Sequence, residues 1–257
     1  PIATLGQGIS VYEDTNNIVE GNTYYYRVDA EKMGLTIPGY EIEYLASPTT
    51  TTHIHDIFDD NSIIATYNLD GDATDLGGNY NGTWNGTEQY VTETDRQVAS
   101  LSSGNYIDLL TTDLDTISIW FNVDDSSTYQ SVEGALIGLD SNYNIFIGYS
   151  SSGLTDEKIS LFSIGNTRYI RQPSFSELKN WTHFLLQWNG SEYEFYVNGI
   201  KRTSYGSSVN KFNSIDILLG KRYGYSQYFS GLVSQVRLFN RSLTQEEIDT
   251  LYQEGPV

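Results

Sequence analysis

Four Asn-Gly dipeptides, Asn81-Gly82, Asn85-Gly86, Asn189-Gly190 and Asn198-Gly199, constrain this chain more than any other feature. These are the residue types that tolerate positive φ at two successive positions, the geometry that tight β-hairpins demand. The clearest hairpin runs from His183 to Trp188, turns at Asn189-Gly190 and returns from Glu192 to Val197. Tyr193, Phe195 and Val197 alternate there with Glu192, Glu194 and Tyr196, which predicts one core face and one wet or ligand-facing face. Further short strands are read at Thr116 to Val123, Ala135 to Leu139, Asn144 to Tyr149, Lys158 to Ile164, Ser214 to Leu219 and Gly231 to Phe239. Turn signals at this density predict an antiparallel sandwich, not a parallel sheet with crossover helices.

Composition agrees. Charged residues make up only 18%, beside 21 Tyr and 23 Gly, a balance that favours strands over helices. No apolar run has the ~20 residues that a membrane-spanning helix needs. The net charge of −19 repels phosphate backbones, which argues against nucleic acid as a partner. The chain has no cysteine, so stability must come from packing, and an exported domain without disulfides fits a bacterial or phage product. Residue 1 is Pro and no signal peptide follows it, so the parent polypeptide is expected to begin upstream.

One helix is predicted, near the C-terminus. Thr244 and Glu247 have the spacing of a capping box, and Leu243 and Ile248 that of a hydrophobic staple. Ile248, Leu251 and Tyr252 then share the face that packs on the sandwich. At the other end, residues 1–47 read as strands at Ile9 to Tyr12, Thr23 to Ala30 and Tyr40 to Leu45. Residues 48–61 read as a linker, and 62–257 as the main domain.

The segment Ile18 to Ala30 resembles the corner and penultimate strand of fibronectin type III domains. That resemblance implies that Tyr24 forms a tyrosine corner and that residues 1–47 are the C-terminal half of an immunoglobulin-like sandwich. Glu20 stands where that family often has Pro. The segments Ile63 to Thr83, Ile117 to Phe121, Trp181 to Gly199 and Ser230 to Thr244 occur in the order of laminin-G-like domains, which they resemble. Those domains belong to the concanavalin A-like superfamily, so the expected fold is an all-β jelly roll. An Asn-Tyr-Asn-Gly-Thr turn at 79–83 is similar to domains of phage structural and tail-associated proteins, which implies an extracellular or virion-surface setting.

The resemblance also implies candidate sites. Members often bind carbohydrate, and many hold calcium at an edge of the sandwich. Asp70, Asp72, Asp75 and Asn79 offer hard oxygen ligands at short spacing for Ca2+, and they read equally well as ordinary turn residues. Ser234-Gln235 stands where related domains often carry acidic residues. Sugar recognition needs aromatic faces in turn-rich stretches, which nominates Trp84, Tyr129, Tyr143, Tyr223, Tyr225 and Tyr228, with Tyr169 and Tyr205 behind them. His53 and His55 share a face of an extended strand; they read as solvated linker residues or as an inter-subunit metal site at the axis of a trimer. The five Asn-x-Ser/Thr triplets, at Asn81, Asn85, Asn180, Asn189 and Asn240, read as turn chemistry.

Glycoside hydrolases of this superfamily carry Glu-x-Asp-x-Glu or Glu-x-Asp-x-x-Glu on one strand. Glu93-Thr94-Asp95 and Glu247-Ile248-Asp249 lack the closing Glu, so the chain is expected not to be an enzyme. Two functional readings stand: a carbohydrate-binding adhesion module whose partner is a cell-surface glycan, and an architectural subunit that contacts other virion proteins or copies of itself.

Overall fold

The computed structural model describes residues 55–256 apart from 94–95, 124–134, 140–142, 148–158, 164–165, 171–177 and 214; before residue 55 it describes only the backbone of four strands. The chain divides into two compact units, Pro1–His53 and Ile54–Val257.

In the first unit β1 (Thr23–Arg27) pairs antiparallel with β4 (Glu41–Leu45), and β2 (Ala30–Lys32) with β3 (Leu35–Ile37). The expected strand at Ile9 to Tyr12 and the side chain of Tyr24 lie outside the described residues.

In the second unit the strands are, in chain order, β5 (Ile63–Tyr67), β6 (Thr83–Asn85), β7 (Tyr90–Glu93), β8 (Arg96–Leu101), β9 (Tyr106–Thr112), β10 (Thr116–Val123), β11 (Ala135–Leu139), β12 (Tyr143–Ile147), β13 (Ile159–Ser163), β14 (Asn166–Ile170), β15 (Thr182–Trp188), β16 (Tyr193–Val197), β17 (Ile200–Arg202), β18 (Ser204–Gly206), β19 (Ile215–Leu219) and β20 (Gly231–Phe239), followed by helix α1 (Gln245–Gln253). Among the described residues they form two eight-stranded sheets. The first has the order β17-β16-β15-β10-β20-β8-β7, with β5 also on β20; the second has the order β18-β14-β13-β12-β11-β19-β9-β6. All the pairings are antiparallel, and the chain passes repeatedly from one sheet to the other, which is the expected jelly-roll sandwich.

The core lies between the sheets. Ile117, Ile119 and Phe121 of β10, Phe184 and Leu186 of β15, and Phe195 of β16 are fully or almost fully buried against Ile137, Leu139, Ile145, Leu161, Ile217 and Leu219 of the second sheet. The Asn-Gly dipeptides divide by role. Asn198 (φ 51) and Gly199 (φ 75) form the expected two-residue turn between Val197 and Ile200. Asn189 instead opens a four-residue turn, because its Oδ1 accepts the N–H groups of Ser191 and Glu192, each at 3.0 Å.

One expectation is corrected here. The outward face of the β15–β16 hairpin is wet only toward its turn, where Glu192 is exposed and Glu194 half-buried; at Leu185 and Tyr196 α1 and the residues around it cover it. Leu185, Tyr196 and Phe239 pack there on Leu243, Ile248 and Leu251, with Ile57 and Phe58 from the stretch read as linker. The cap is as expected: Thr244 accepts from Glu247 N–H, and the Glu247 side chain accepts from Thr244 N–H at 2.7 Å. Tyr252 stacks on Trp120.

Beside this apolar patch the covered face is polar. Ser118 Oγ lies 2.8 Å from His183 Nε2, and Gln187 Oε1 accepts Leu243 N–H at 2.8 Å. Arg237 is wholly buried and donates to Glu254 at 2.8 Å, while Ser234 donates to the Pro256 carbonyl. Each pairing offsets the cost of taking a polar group out of water.

Two outcomes are expected. Glu254→Ala leaves the Arg237 charge buried without its counter-ion and should lower unfolding stability by about 3 kcal/mol, against about 1 kcal/mol for loss of the cap in Thr244→Ala, both read from urea denaturation. Burial pushes the His183 pKa down to about 3, below its value of about 6.5 in the unfolded chain. Between these values the unfolded state binds the extra proton. The contribution of the neutral imidazole is therefore present above pH ~6.5 and lost as pH falls, by up to ~1.4 kcal/mol per unit. Replacing His183 with Gln should flatten the stability profile between pH 6.5 and 5.

Candidate functional site

Register decides which side chains share the outer face of the second sheet. Asn144 of β12 pairs with Gly138 of β11, Gly138 with Leu218 of β19, and Leu218 with Asp108 of β9. Side chains two apart in a strand share a face, so Tyr106 and Asp216 join this set. The core-facing Ile107, Ile137, Ile145 and Ile217 occupy the alternate positions.

The Gly-rich loop 220–230 folds back onto this face. Its neck is closed by Gly220 N–H to Leu136 O at 2.8 Å and Phe229 N–H to Gly220 O at 2.9 Å. Gly138 makes the approach possible, because a Cβ there would lie 2.3 Å from the Lys221 carbonyl oxygen. Tyr223 N–H donates to Asn144 Oδ1 at 3.3 Å, which fastens the loop to β12.

The result is a cluster of rings and charges. Lys221 Nζ sits 4.3 Å from the ring centre of Tyr106 and 5.7 Å from that of Tyr228, and the two rings are 6.4 Å apart. The Tyr223 hydroxyl donates to Asp216 at 3.3 Å. Partial burial raises the pKa of Asp108, the negative charge of Asp216 adds to the rise, and Lys221 opposes it. At the tip, Arg222 lies 3.8 Å from the ring centre of Tyr225 and donates to Gln227 at 2.8 Å. Tyr225 remains 54% exposed. Aromatic faces, hydroxyl groups and carboxylates are thus brought onto one patch of sheet.

Of the residues nominated from sequence, Tyr223, Tyr225 and Tyr228 meet in this cluster. Trp84 does not: it stands opposite Ile107, on the core side, and donates from Nε1 to the Tyr90 hydroxyl at 2.8 Å. Tyr143 also turns inward, with its ring 5.0 Å from that of Phe212. Tyr129 lies outside the described residues. Tyr169 and Tyr205 form a pair at the far end of the same face, their rings 5.9 Å apart. Sequence reasoning missed Tyr106, Asp108, Asp216 and Lys221. Alternation within β9 and β19 would have placed the first three outward, but nothing local shows which sheet face stays uncovered.

Of the four residues of the acidic turn, Asp75 is already saturated by the protein itself. Asp75 is buried, with Oδ1 accepting from Thr66 N–H (2.9 Å) and Gly77 N–H (3.1 Å) and Oδ2 from Asn79 N–H (3.1 Å) and Tyr80 N–H (3.2 Å). Four donors use the lone pairs that a cation would need. Asp70 accepts from Gln97 N–H at 2.7 Å, Asp72 from Thr74 N–H at 2.8 Å, and Asn79 takes part as a backbone donor. Among the described residues no three His, Asp or Glu side chains converge on a metal position. His53 lies outside the described residues. The His55 ring packs against Gly77 and lies 3.7 Å from Asp75 within its own unit.

The fold is a two-sheet antiparallel sandwich of the jelly-roll type. The Laminin_G_3 family model, described as the concanavalin A-like lectin/glucanases superfamily, matches residues 85–249, more than half of the chain. The chain belongs to this family. No curated protein matches the sequence.

Among solved structures, domain 4 of AbnA, a GH43 extracellular arabinanase from Geobacillus stearothermophilus in complex with arabinotriose, is 19% identical with a TM-score of 0.58, over 75% of this chain and 98% of that one. The binding domain of Paraclostridial Mosquitocidal Protein 1 is 18% identical, with a TM-score of 0.51, over 75% of this chain and 52% of that one. The botulinum neurotoxin serotype D ligand binding domain in complex with N-acetylneuraminic acid is 17% identical, with a TM-score of 0.51, over 79% and 52%. The chain thus spans about half the length of these toxin domains. No helix among the described residues is long and apolar enough to cross a membrane.

Because Asp75 is saturated by backbone donors, neither EDTA nor millimolar calcium is expected to move the thermal melt. A rise of several degrees on adding calcium would show an ion held in the native state.

Proposed function

We propose that the sandwich of residues 54–257 is a non-enzymatic carbohydrate-binding module whose binding surface is the outer face of the second sheet under loop 220–230. The observation that carries this reading is the convergence of Tyr106, Tyr228, Tyr223 and Lys221 with Asp108 and Asp216 on that face. Tyr rings cover the C–H side of a sugar, and carboxylates accept hydrogen bonds from its hydroxyl groups. The family and the sugar complexes of two similar folds, one with arabinotriose and one with N-acetylneuraminic acid, support it. We place the module outside a cell or on a virion surface, as an adhesion domain of a phage tail or fibre beside a fibronectin III-like segment. That setting rests on the resemblance of the turn at 79–83 and of residues 18–30.

A glycan array probed with the full chain tests the reading, with array hits measured by calorimetry. Asp108→Asn is expected to lower affinity for a hit about tenfold, the equivalent of one charge-assisted hydrogen bond. Tyr228→Ala should do the same through lost ring contact, with melting temperatures little changed. An array without signal would remove the proposal, and release of shorter sugars from the bound glycan would make the protein an enzyme.

A further inference from the structure

The outer face of the second sheet continues beyond the loop. Ser160 pairs with Phe146 on one side and with Tyr169 on the other, and Tyr169 pairs with Tyr205 of β18. Phe146 in turn pairs with Ala135, and Ala135 bridges to Tyr228. On the near side of the loop, Asn85 pairs with Tyr106. One transverse row of the sheet therefore runs from Asn85 and Tyr106, past Lys221 and Tyr228, to Tyr169 and Tyr205.

From β9 to β14 the row crosses β19, β11, β12 and β13. Strands stand ~4.8 Å apart, so Tyr169 lies roughly 24 Å from Tyr106 and, because Tyr228 bridges to Ala135 of β11, roughly 14 Å from Tyr228. A single sugar at Tyr106 and Tyr228 cannot reach Tyr169. A pyranose chain, which advances by about one ring per strand spacing, reaches it with about three rings from Tyr228 and covers the whole row from Tyr106 with about five.

The second group has the character of the first. The Tyr169 and Tyr205 rings stack with an interplanar angle of 28°, and Tyr205 is 43% exposed. Charge selects among chains. The molecule carries −19, Asp108 and Asp216 lie at one end of the row, and the Lys221 ammonium is already engaged by two rings. A polyanionic glycan is disfavoured on such a face.

We infer that Tyr169 and Tyr205 form a second subsite, and that the ligand is an uncharged polysaccharide segment lying across the strands from β9 to β18 rather than a single terminal sugar. This inference rests on the carbohydrate-binding reading above.

Calorimetry with neutral arabino-, cello- and malto-oligosaccharides, each from one to eight units, tests it on the full chain. For the series that binds, affinity should climb with length and level off at about five or six units. The double variant Tyr169→Ala/Tyr205→Ala should lose about tenfold on the longest members and nothing on the shortest. Tyr228→Ala should weaken all lengths. Tyr169→Phe/Tyr205→Phe, which keeps the rings, should restore the gain with length. If the double alanine variant does not fold, the exposed Tyr205→Ser alone serves. A monosaccharide bound as tightly as the longest chain, or a double variant that binds every length like the wild type, overturns the second subsite while leaving carbohydrate binding intact. An acidic oligosaccharide preferred over the neutral ones overturns the choice of ligand. Failure of every sugar, on the array and in calorimetry, overturns both.

Discussion

The central strands of the first sheet, β10, β15 and β20, are buried on both faces, and the rest of the molecule depends on that. β10 and β15 turn Ile119 and Phe184 inward and Trp120, His183 and Gln187 outward, yet all of them are buried. The outward set is covered by α1 and the chain after it, held by the Arg237–Glu254 pair and by Ile248 and Leu251 on Leu185 and Phe239. A face closed in this way cannot meet a ligand. The proposed recognition surface is accordingly the outer face of the second sheet with loop 220–230.

What makes that second face distinctive is a loop drawn down onto it. Gly138 removes the side chain that would hold the loop away, and Asn144 supplies the acceptor that fixes it. Lys221 then lies near the rings of two tyrosines, whose faces attract its ammonium, and its charge also acts on the carboxylate of Asp108. Hydroxyls, rings and carboxylates together are the basis of the proposal that neutral hydroxyl-rich ligands bind here.

The acidic turn shows how one composition serves a different physical end. Asp70, Asp72, Asp75 and Asn79 have the spacing of hard oxygen ligands, but Asp75 is folded inward and consumed by four backbone N–H groups. It organises the 75–80 turn from inside. Carboxylates on a short loop satisfy a cation and a set of amide donors equally well, and spacing alone does not distinguish the two.

The amino-acid sequence by itself determined the all-β class, the β15–β16 hairpin, the tight turn at Asn198-Gly199 and the capped helix at Thr244, because period-two alternation, turn dipeptides and capping boxes act over a few residues. It also brought forward Tyr223, Tyr225 and Tyr228 as loop aromatics. Only the tertiary structure decided that Trp84 and Tyr143 turn into the core, that Tyr106, Asp108, Asp216 and Lys221 complete the cluster, and that the helix covers one sheet and not the other. Those outcomes follow from strand order and from which face each layer buries, and both are set by pairings between segments up to a hundred and more residues apart, as between Ile107 of β9 and Leu219 of β19.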